Sequence, residues 1–170
     1  MSDTSAADRW RDDRTTFQRV YDVLVGTQSF LTAQEFAGRA ECSETAARNA
    51  LEQLAEMGVA DRRDGRPARY RRNESYFRWK RVESLAREHS PDELRERLDD
   101  LIATDEEFQA EYGVPDPAAV STADLPVDAH DALHARWEGL REWRTVRRDI
   151  RLLRRAVERT RSSADDGVHA

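Results

Sequence analysis

The chain has 170 residues, with 34 acidic against 28 basic side chains and a formal net charge of −6. This length suits one domain with an appendage and excludes a large catalytic barrel. No apolar run approaches the roughly 20 residues needed to cross a bilayer, and residues 1–16 lack the apolar core of a signal peptide, so we expect a cytoplasmic protein. One cysteine, Cys42, excludes an intrachain disulfide and a cysteine-based zinc site within one chain.

The basic residues are unusual in type and in position. Arginine accounts for 27 of them, and Lys80 is the single lysine. This acid-rich, lysine-poor composition resembles that of proteins from salt-loving archaea, where the Debye length falls to about 3 Å or less and net charge says little about partners. Residues 61–87 and 136–161 each hold ten basic and four acidic side chains, whereas 88–135 holds 14 acidic and two basic ones. A local basic block is typical of a nucleic-acid site, although an ordinary solvated face explains it equally well.

Residues 1–14 are polar and are predicted to be a disordered tail. A helix then begins near Thr15 and ends at Gly26 or at the polar residues after it. Its apolar positions follow the i, i+3, i+4, i+7, i+8 spacing of a helix packed on one side. They are Phe17, Val20, Tyr21, Leu24 and Val25.

Two short helices are predicted next. Thr32 and Glu35 have the spacing of a capping box, which predicts a helix over 33–41. Ser43 provides a second N-cap, and Gly58 is placed to end the second helix. The predicted buried face of that helix comprises Ala46, Ala47, Ala50, Leu51, Leu54 and Met57.

Small side chains occur where these two helices would cross, which favours a helix-turn-helix over two consecutive helices. They are Ala37, Gly38, Ala40, Ala46, Ala47 and Ala50. The opposite face of the second helix is polar and has the hydrogen-bonding capacity to contact base edges. It comprises Glu44, Thr45, Arg48, Asn49, Glu52 and Gln53.

A β-hairpin is predicted around Asp64 and Gly65, with Pro67 just beyond the turn. A two-stranded ribbon of this size is marginal alone, so we expect it to pack on the preceding helices with its tip projecting. The turn is flanked by Arg62, Arg63, Arg66, Arg69 and Arg71, with Arg72 following.

The remaining chain reads as a helical segment over 74–112, a Pro-rich linker over 113–127, a long helix over 128–161 and a disordered tail over 162–170. The apolar residues of the long helix recur at a mean spacing near 3.5, and a seam this long is difficult to cover within one small chain. We therefore predict a homodimer through this helix, with packing onto Trp79 and Leu98 of the same chain as the alternative. The predicted dimerisation residues are Leu133, Trp137, Leu140, Trp143, Val146, Ile150, Leu153 and Val157.

The run from Leu31 to Arg72 resembles the winged helix-turn-helix DNA-binding domain of prokaryotic transcription regulators, in particular haloarchaeal regulators related to the MarR, ArsR and TrmB types. The resemblance covers residues 15–73 and rests on the capped helix pair, the end of the second helix at Gly58 and the Arg-rich hairpin. It implies a recognition helix in the major groove, which contacts bases through Ser43, Glu44, Thr45, Arg48, Asn49 and Gln53. The implied wing places Arg66 at the minor groove and Arg62, Arg63, Arg69 and Arg71 on phosphates.

Other chemistry has weaker support in the sequence. His130 and His134 have the i, i+4 spacing of a metal pair but lack well-spaced third and fourth ligands, so no metal or other cofactor is predicted. Cys42 has no resolving cysteine, which favours a buried residue over a redox sensor. Three of the four tryptophans, Trp79, Trp137 and Trp143, sit on apolar stripes, which favours core or interface packing over a ligand pocket. No phosphate loop, activated nucleophile or hydrolase motif is present, so we do not expect an enzyme.

The sequence thus predicts a mainly α fold with a small β-hairpin wing: a winged helix-turn-helix followed by a helical appendage with a long C-terminal helix. The expected function is sequence-specific binding of double-stranded DNA by a dimeric transcription regulator. The alternative is a winged-helix adaptor whose acidic 88–135 segment binds a basic protein. RNA binding is less favoured because no exposed aromatic platform for base stacking is evident.

Overall fold

The protein is mainly helical, with a small three-stranded antiparallel sheet and a long C-terminal helix. The computed structural model describes residues 13–121 and 130–166, apart from the side chains of residues 130, 131 and 163–166. The other residues hold parts of both predicted tails, the end of the predicted linker and the predicted start of the long helix, which therefore lie outside the described residues. No helix of the described ranges is long and apolar enough to span a membrane.

The chain divides into two compact units, Met1–Arg78 and Trp79–Ala170. The elements of the first unit are α1 (Thr16–Val25), β1 (Leu31–Thr32), α2 (Ala33–Ala40), α3 (Glu44–Glu56), β2 (Ala60–Arg63) and β3 (Arg69–Arg72). Helix α4 (Glu74–Glu88) begins in the first unit and continues into the second. The second unit continues with α5 (Pro91–Tyr112), a 3₁₀ turn (Pro117–Ala119) and α6 (His130–Asp166).

The predicted caps of the first unit are confirmed. The Thr32 hydroxyl accepts from the Glu35 N–H at 3.3 Å, and a Glu35 carboxylate oxygen accepts from the Thr32 N–H at 2.8 Å. The Ser43 hydroxyl accepts from the Ala46 N–H at 3.2 Å. These bonds satisfy backbone donors that the first turn of each helix leaves without a partner.

The core of the first unit lies between α1, α2, α3 and the sheet. Val20, Leu24, Phe36, Leu51 and Tyr70 are among its fully buried side chains. The small residues that let α2 and α3 pack closely are also buried: Ala37, Ala40, Ala47 and Ala50. The helix pair therefore packs as the small-residue pattern predicts.

Several residues that the sequence assigned to the core are exposed to solvent. Met57 is 65% exposed, because it follows the last turn of α3 as the C-cap residue. Gly38 is exposed, and a Cβ added there would meet nothing within 4 Å, so it is not part of the helix crossing. Phe17 and Val25, at the two ends of α1, are also exposed.

The predicted hairpin forms, but it belongs to a three-stranded sheet of order β1-β3-β2. Strand β1 pairs with β3, so that Leu31 lies opposite Tyr70 and Thr32 opposite Arg69. The prediction of a two-stranded ribbon was wrong, because a strand of two residues has no periodicity that the sequence could reveal. The third strand ties the hairpin to the start of α2.

In the second unit, α6 packs on α5 within the same chain. Trp143 is fully buried and stacks on Phe108 and Tyr112, with centroid distances of 5.9 and 5.6 Å. Its Nε1–H donates to Oδ1 of Asp105 at 2.6 Å, and the same carboxylate oxygen lies 3.1 Å from Nε of Arg147. Six of the eight residues assigned to a dimer seam are buried in this way: Leu140, Trp143, Val146, Ile150, Leu153 and Val157.

The reasoning behind the predicted dimer was therefore wrong, since one chain does cover this seam. Of the two remaining residues, Leu133 is half-buried and Trp137 is 49% exposed. Trp79, which the alternative placed in the intrachain contact, is 56% exposed, whereas Leu98 packs against the buried cluster of Val82, Leu85 and Leu153. The intrachain alternative is thus confirmed for Leu98, whereas Trp79 keeps more than half of its surface exposed.

Candidate nucleic-acid interface

Helix α3 presents one continuous polar face to solvent. Its opposite face is fixed in the core by Ala47, Leu51 and Leu54. The side chains predicted to contact bases are all exposed: Ser43, Glu44, Thr45, Arg48, Asn49 and Gln53. The helix can therefore offer these groups to a partner without unfolding.

The charge on this face is partly balanced within the helix. Arg48 forms an ion pair with Glu44, one helical turn before it, and both side chains are about half exposed. The partner of Arg48 among the acidic residues of this helix is therefore Glu44. A carboxylate N-terminal to a guanidinium at i, i+4 is the favourable order for such a pair.

The arginines of the hairpin divide between its two sides. In the register of β2 and β3, Arg63 lies opposite Arg69 and Asp61 opposite Arg71, whereas Arg62 lies opposite the buried Tyr70. Residues directly opposite in an antiparallel pair share a side, and successive residues alternate. Arg62 is therefore on the side that faces the core helices, and Arg63, Arg69 and Arg71 are on the other.

Two of these arginines hold the hairpin together. The Arg71 guanidinium pairs with Asp61, at 3.1 Å between Nε and Oδ2, and lies 4.5 Å from the centroid of the Phe30 ring. The Arg63 guanidinium lies 4.1 Å from the same ring. Phe30 thus stacks with two cations, and a partly desolvated stack of this kind contributes roughly 0.5–2 kcal/mol. Arg71 has a structural contact in addition to the phosphate role expected of it.

The tip of the hairpin carries exposed basic side chains. Arg62 lies 3.2 Å from Asp64 across the turn. Arg66 is exposed, and within the described residues it has no ion pair and no hydrogen bond. Arg69 is exposed beside Glu35, whose pKa is lowered first by its hydrogen bonds with Thr32 and further by the charges of Arg69 and Arg39. The Arg66 guanidinium is therefore available to a ligand.

A groove of about 330 Å³ separates α3 from the hairpin turn. The polar face of α3 forms one wall, through Glu44, Arg48 and Glu52, and the turn forms the other, through Arg66 and Pro67. The remaining lining residues are Thr32, Ala33, Gln34, Gly65, Ala68 and Tyr70. The sequence did not single out Gln34, which joins the site through the first turn of α2.

The turn between α2 and α3 is held by a buried arginine that the sequence reasoning missed. Arg19 is 8% exposed, and its guanidinium donates to the Glu41 carbonyl and the Thr16 hydroxyl, each at 3.3 Å. Glu41 occupies the left-handed region with φ of 49°, which ends α2 one residue before the predicted boundary. Burial raises the pKa of the neighbouring Cys42 thiol and so favours its protonated form.

The histidine pair considered from the sequence falls partly outside the described side chains, since that of residue 130 is not described. His134 is exposed on α6. The side chains that the structure does describe contain no group of three or more His, Cys, Asp or Glu residues placed to hold a metal ion.

The fold and site together define a mainly helical protein whose first unit pairs a polar helix with an Arg-rich hairpin across a groove. The chain belongs to the DUF7342 family, a family of unknown function, which matches residues 14–159. The match covers both units. No curated protein matches the chain.

Proposed function

We propose that this protein is a sequence-specific, double-stranded DNA-binding regulator of transcription, and that its first unit is a winged helix-turn-helix. Helices α2 and α3 are the helix-turn-helix, α3 is the recognition helix, and the β2-β3 hairpin is the wing. The observation that carries the proposal is the juxtaposition of the exposed polar face of α3 with the exposed Arg66 across one groove. The expected arrangement places the helix in the major groove and the wing beside the backbone or minor groove.

The recognition helix supplies the chemistry of base readout. Asn49 has the amide geometry for a bidentate contact with adenine, and Arg48 has the planar fork for guanine. Glu44 serves in one of two ways: it orients Arg48 through their ion pair, or it accepts from the cytosine amine. A single good bidentate contact discriminates against a wrong base by about 1–3 kcal/mol.

The hairpin supplies affinity that does not depend on sequence. Arg66 is the candidate for the minor groove, with Arg62 and Arg69 as phosphate contacts. Arg63 and Arg71 stack on Phe30, so their first role is to stiffen the hairpin that carries the other three. A rigid hairpin loses less conformational entropy on binding than a mobile one.

A homodimer remains part of the proposal, with a smaller contact than the sequence predicted. Trp137 and Leu133 are the seam residues that α6 does not bury completely in its own chain. A two-fold dimer would bind two half-sites about one helical turn of DNA apart. Sedimentation of the free protein and of its DNA complex measures this stoichiometry.

Two variants separate the proposed roles of helix and hairpin. Asn49→Ala is expected to weaken binding to the preferred duplex and to leave binding to a shuffled duplex unchanged, because it removes a base contact. Arg66→Ala is expected to weaken binding to both duplexes and to reduce the dependence of log K on log salt by about 0.9, because it removes one cation that displaces a counterion from the DNA.

Arg95→Gln is the matched charge control, since Arg95 lies on α5 and is paired with Asp92 at 2.6 Å. The assay is fluorescence anisotropy of labelled duplex titrated with protein in increasing KCl. Equal affinity of Arg66→Ala and the wild type on both duplexes would contradict the wing assignment. Absence of DNA binding by the wild type would instead favour the adaptor reading, in which the exposed acidic side chains of α5 bind a basic protein.

A further inference from the structure

The exposed side of α6 carries a row of five arginines. They recur at alternating spacings of three and four residues, which places them on one side of the helix, away from the buried Val146, Ile150 and Leu153. All five are exposed: Arg141, Arg144, Arg148, Arg151 and Arg155. We call this row the arginine stripe. At 1.5 Å per residue it is about 21 Å long.

The stripe has little charge compensation within the chain. Arg148 is paired with the neighbouring Asp149, at 3.5 Å between Nε and Oδ1. The other four arginines have no ion pair and no side-chain hydrogen bond among the described residues. By their positions in the 3.6-residue period, Glu142 and Asp149 lie about 120–140° around the helix from the stripe, whereas the exposed Glu138 and Glu158 flank its two ends.

Helix stability does not explain the stripe. Like charges at i, i+3 and i, i+4 destabilise a helix by a few tenths of a kcal/mol per pair. Elsewhere the same chain uses opposite charges at these spacings, as in Glu44 with Arg48 and Asp92 with Arg95. The helix dipole does not explain the stripe either. Its favourable interaction with cations is confined to the last turn of a helix, and α6 continues past the stripe to Asp166.

We propose that the arginine stripe binds the phosphate backbone of duplex DNA, as a second contact surface that carries no sequence information. Successive guanidinium groups occur every 4.5–6 Å along the helix, whereas phosphates on one strand occur about every 3.4 Å of duplex axis. Five long, flexible side chains with planar donor forks can follow such a row. The proposal deepens the proposed function, because the same chain would hold DNA at the first unit and at the stripe.

The composition of this surface favours a nucleic acid over a protein partner. Protein interfaces are centred on buried aromatic or aliphatic anchors and are depleted of charge at their core. Trp137, which is 49% exposed, lies on the same side of α6 one turn before Arg141, and within the described part of the helix beyond it no large apolar side chain is exposed. A row of five arginines with one aromatic side chain at its end matches the polar, strongly basic character of protein–DNA interfaces.

The test compares two double variants of the full chain that change the net charge equally. Arg144→Gln with Arg151→Gln removes two stripe cations. The control, Arg87→Gln with Arg95→Gln, removes two cations that are paired with Glu83 and Asp92 on their own helices. The probes are a labelled random-sequence duplex of 30 base pairs and the preferred duplex, and anisotropy is measured across a KCl titration.

The proposal predicts that the stripe variant binds both duplexes more weakly than the control variant does. The ratio of its affinity for the preferred duplex to its affinity for the random duplex should equal that of the wild type. The slope of log K against log salt should fall by about 1.8, or 0.9 for each lost phosphate contact. Affinities and slopes equal to those of the control would overturn the proposal.

Two further results overturn the stripe proposal in ways that separate it from the proposed function. If Arg66→Ala weakens binding while the stripe variant does not, the first unit binds DNA and the stripe does not. If the stripe variant instead changes the sedimentation of the free protein and leaves DNA binding unchanged, the stripe contacts the acidic side of α5 in a second copy. If the wild type binds neither duplex, both proposals fail.

Discussion

Replacement of Trp143 by phenylalanine tests whether one chain covers the apolar seam of α6. The indole is fully buried, lies between two aromatic rings and donates to the Asp105 carboxylate at 2.6 Å. Phenylalanine cannot make this bond, and the loss of a hydrogen bond to a charged group costs about 1.5–3 kcal/mol. The smaller ring also leaves a void, which adds about 1 kcal/mol. We therefore expect the free energy of unfolding to fall by about 3 kcal/mol.

The structure limits this cost, because Asp105 keeps two other partners. Its Oδ1 lies 3.1 Å from Arg147, and its Oδ2 accepts from the Gln109 amide at 2.7 Å. The carboxylate is thus not left buried without a partner, and the larger penalty of an orphaned charge does not arise. The variant should fold and remain measurable.

The assay is urea unfolding followed by far-ultraviolet circular dichroism at two protein concentrations tenfold apart. Trp137→Phe is the control, since Trp137 is on the same helix but 49% exposed, and at the lower protein concentration, where the proposed dimer contributes least, its effect should stay within about 0.5 kcal/mol. A change below 1 kcal/mol for the Trp143 variant would refute the packing argument. A midpoint that rises with protein concentration would show that a second chain adds to the stability, as the proposed dimer contact at Trp137 and Leu133 would.

Three further substitutions test local features of the two units. Gly139→Ala should destabilise the protein in thermal unfolding, because the new Cβ would lie 2.3 Å from the Tyr112 hydroxyl. Gly38→Ala is the control, since its Cβ would meet nothing within 4 Å, and it should stabilise the protein by about 0.5–1 kcal/mol. Equal effects at both sites would contradict the close approach at Gly139. Thr32→Ala should cost about 1 kcal/mol by removing a cap. The capping box lowers the pKa of Glu35 in the folded protein, so the stability that Glu35 contributes is present above its unfolded pKa and is lost as pH falls through its folded pKa. Thr32→Ala should therefore also weaken the loss of stability in acid. An unchanged dependence of stability on pH would contradict this role of the capping box.

The helix caps and the hairpin turn were predictable because each depends on residues that are close together in sequence. Thr32, Ser43 and Ser90 each cap a helix through a bond that spans three residues, and Gly113 ends α5 in the left-handed conformation. The hairpin at Asp64 is equally local. The exposed face of α3 followed from the same periodicity that predicted its buried face.

The features that were missed depend on contacts distant in sequence. Trp143 bonds Asp105, which is 38 residues away, and periodicity shows that a seam is apolar without showing what covers it. Arg71 is basic in sequence, and only the cross-strand register places it beside Asp61. Arg19 lies on a helix whose stripe is apolar, and its burial follows from its bond to the Glu41 carbonyl, 22 residues later.

The central claim is that the face of α3 distinguishes one DNA sequence from another, and one measurement tests it most directly. A duplex is enriched from a random pool by the full-length protein, and its affinity is compared by anisotropy with that of a shuffled duplex of the same composition. The account predicts that the enriched duplex binds at least about 10³-fold more tightly and that the preference survives high KCl. Equal affinities that fall together as salt rises would contradict it, since binding would then depend on the arginines alone.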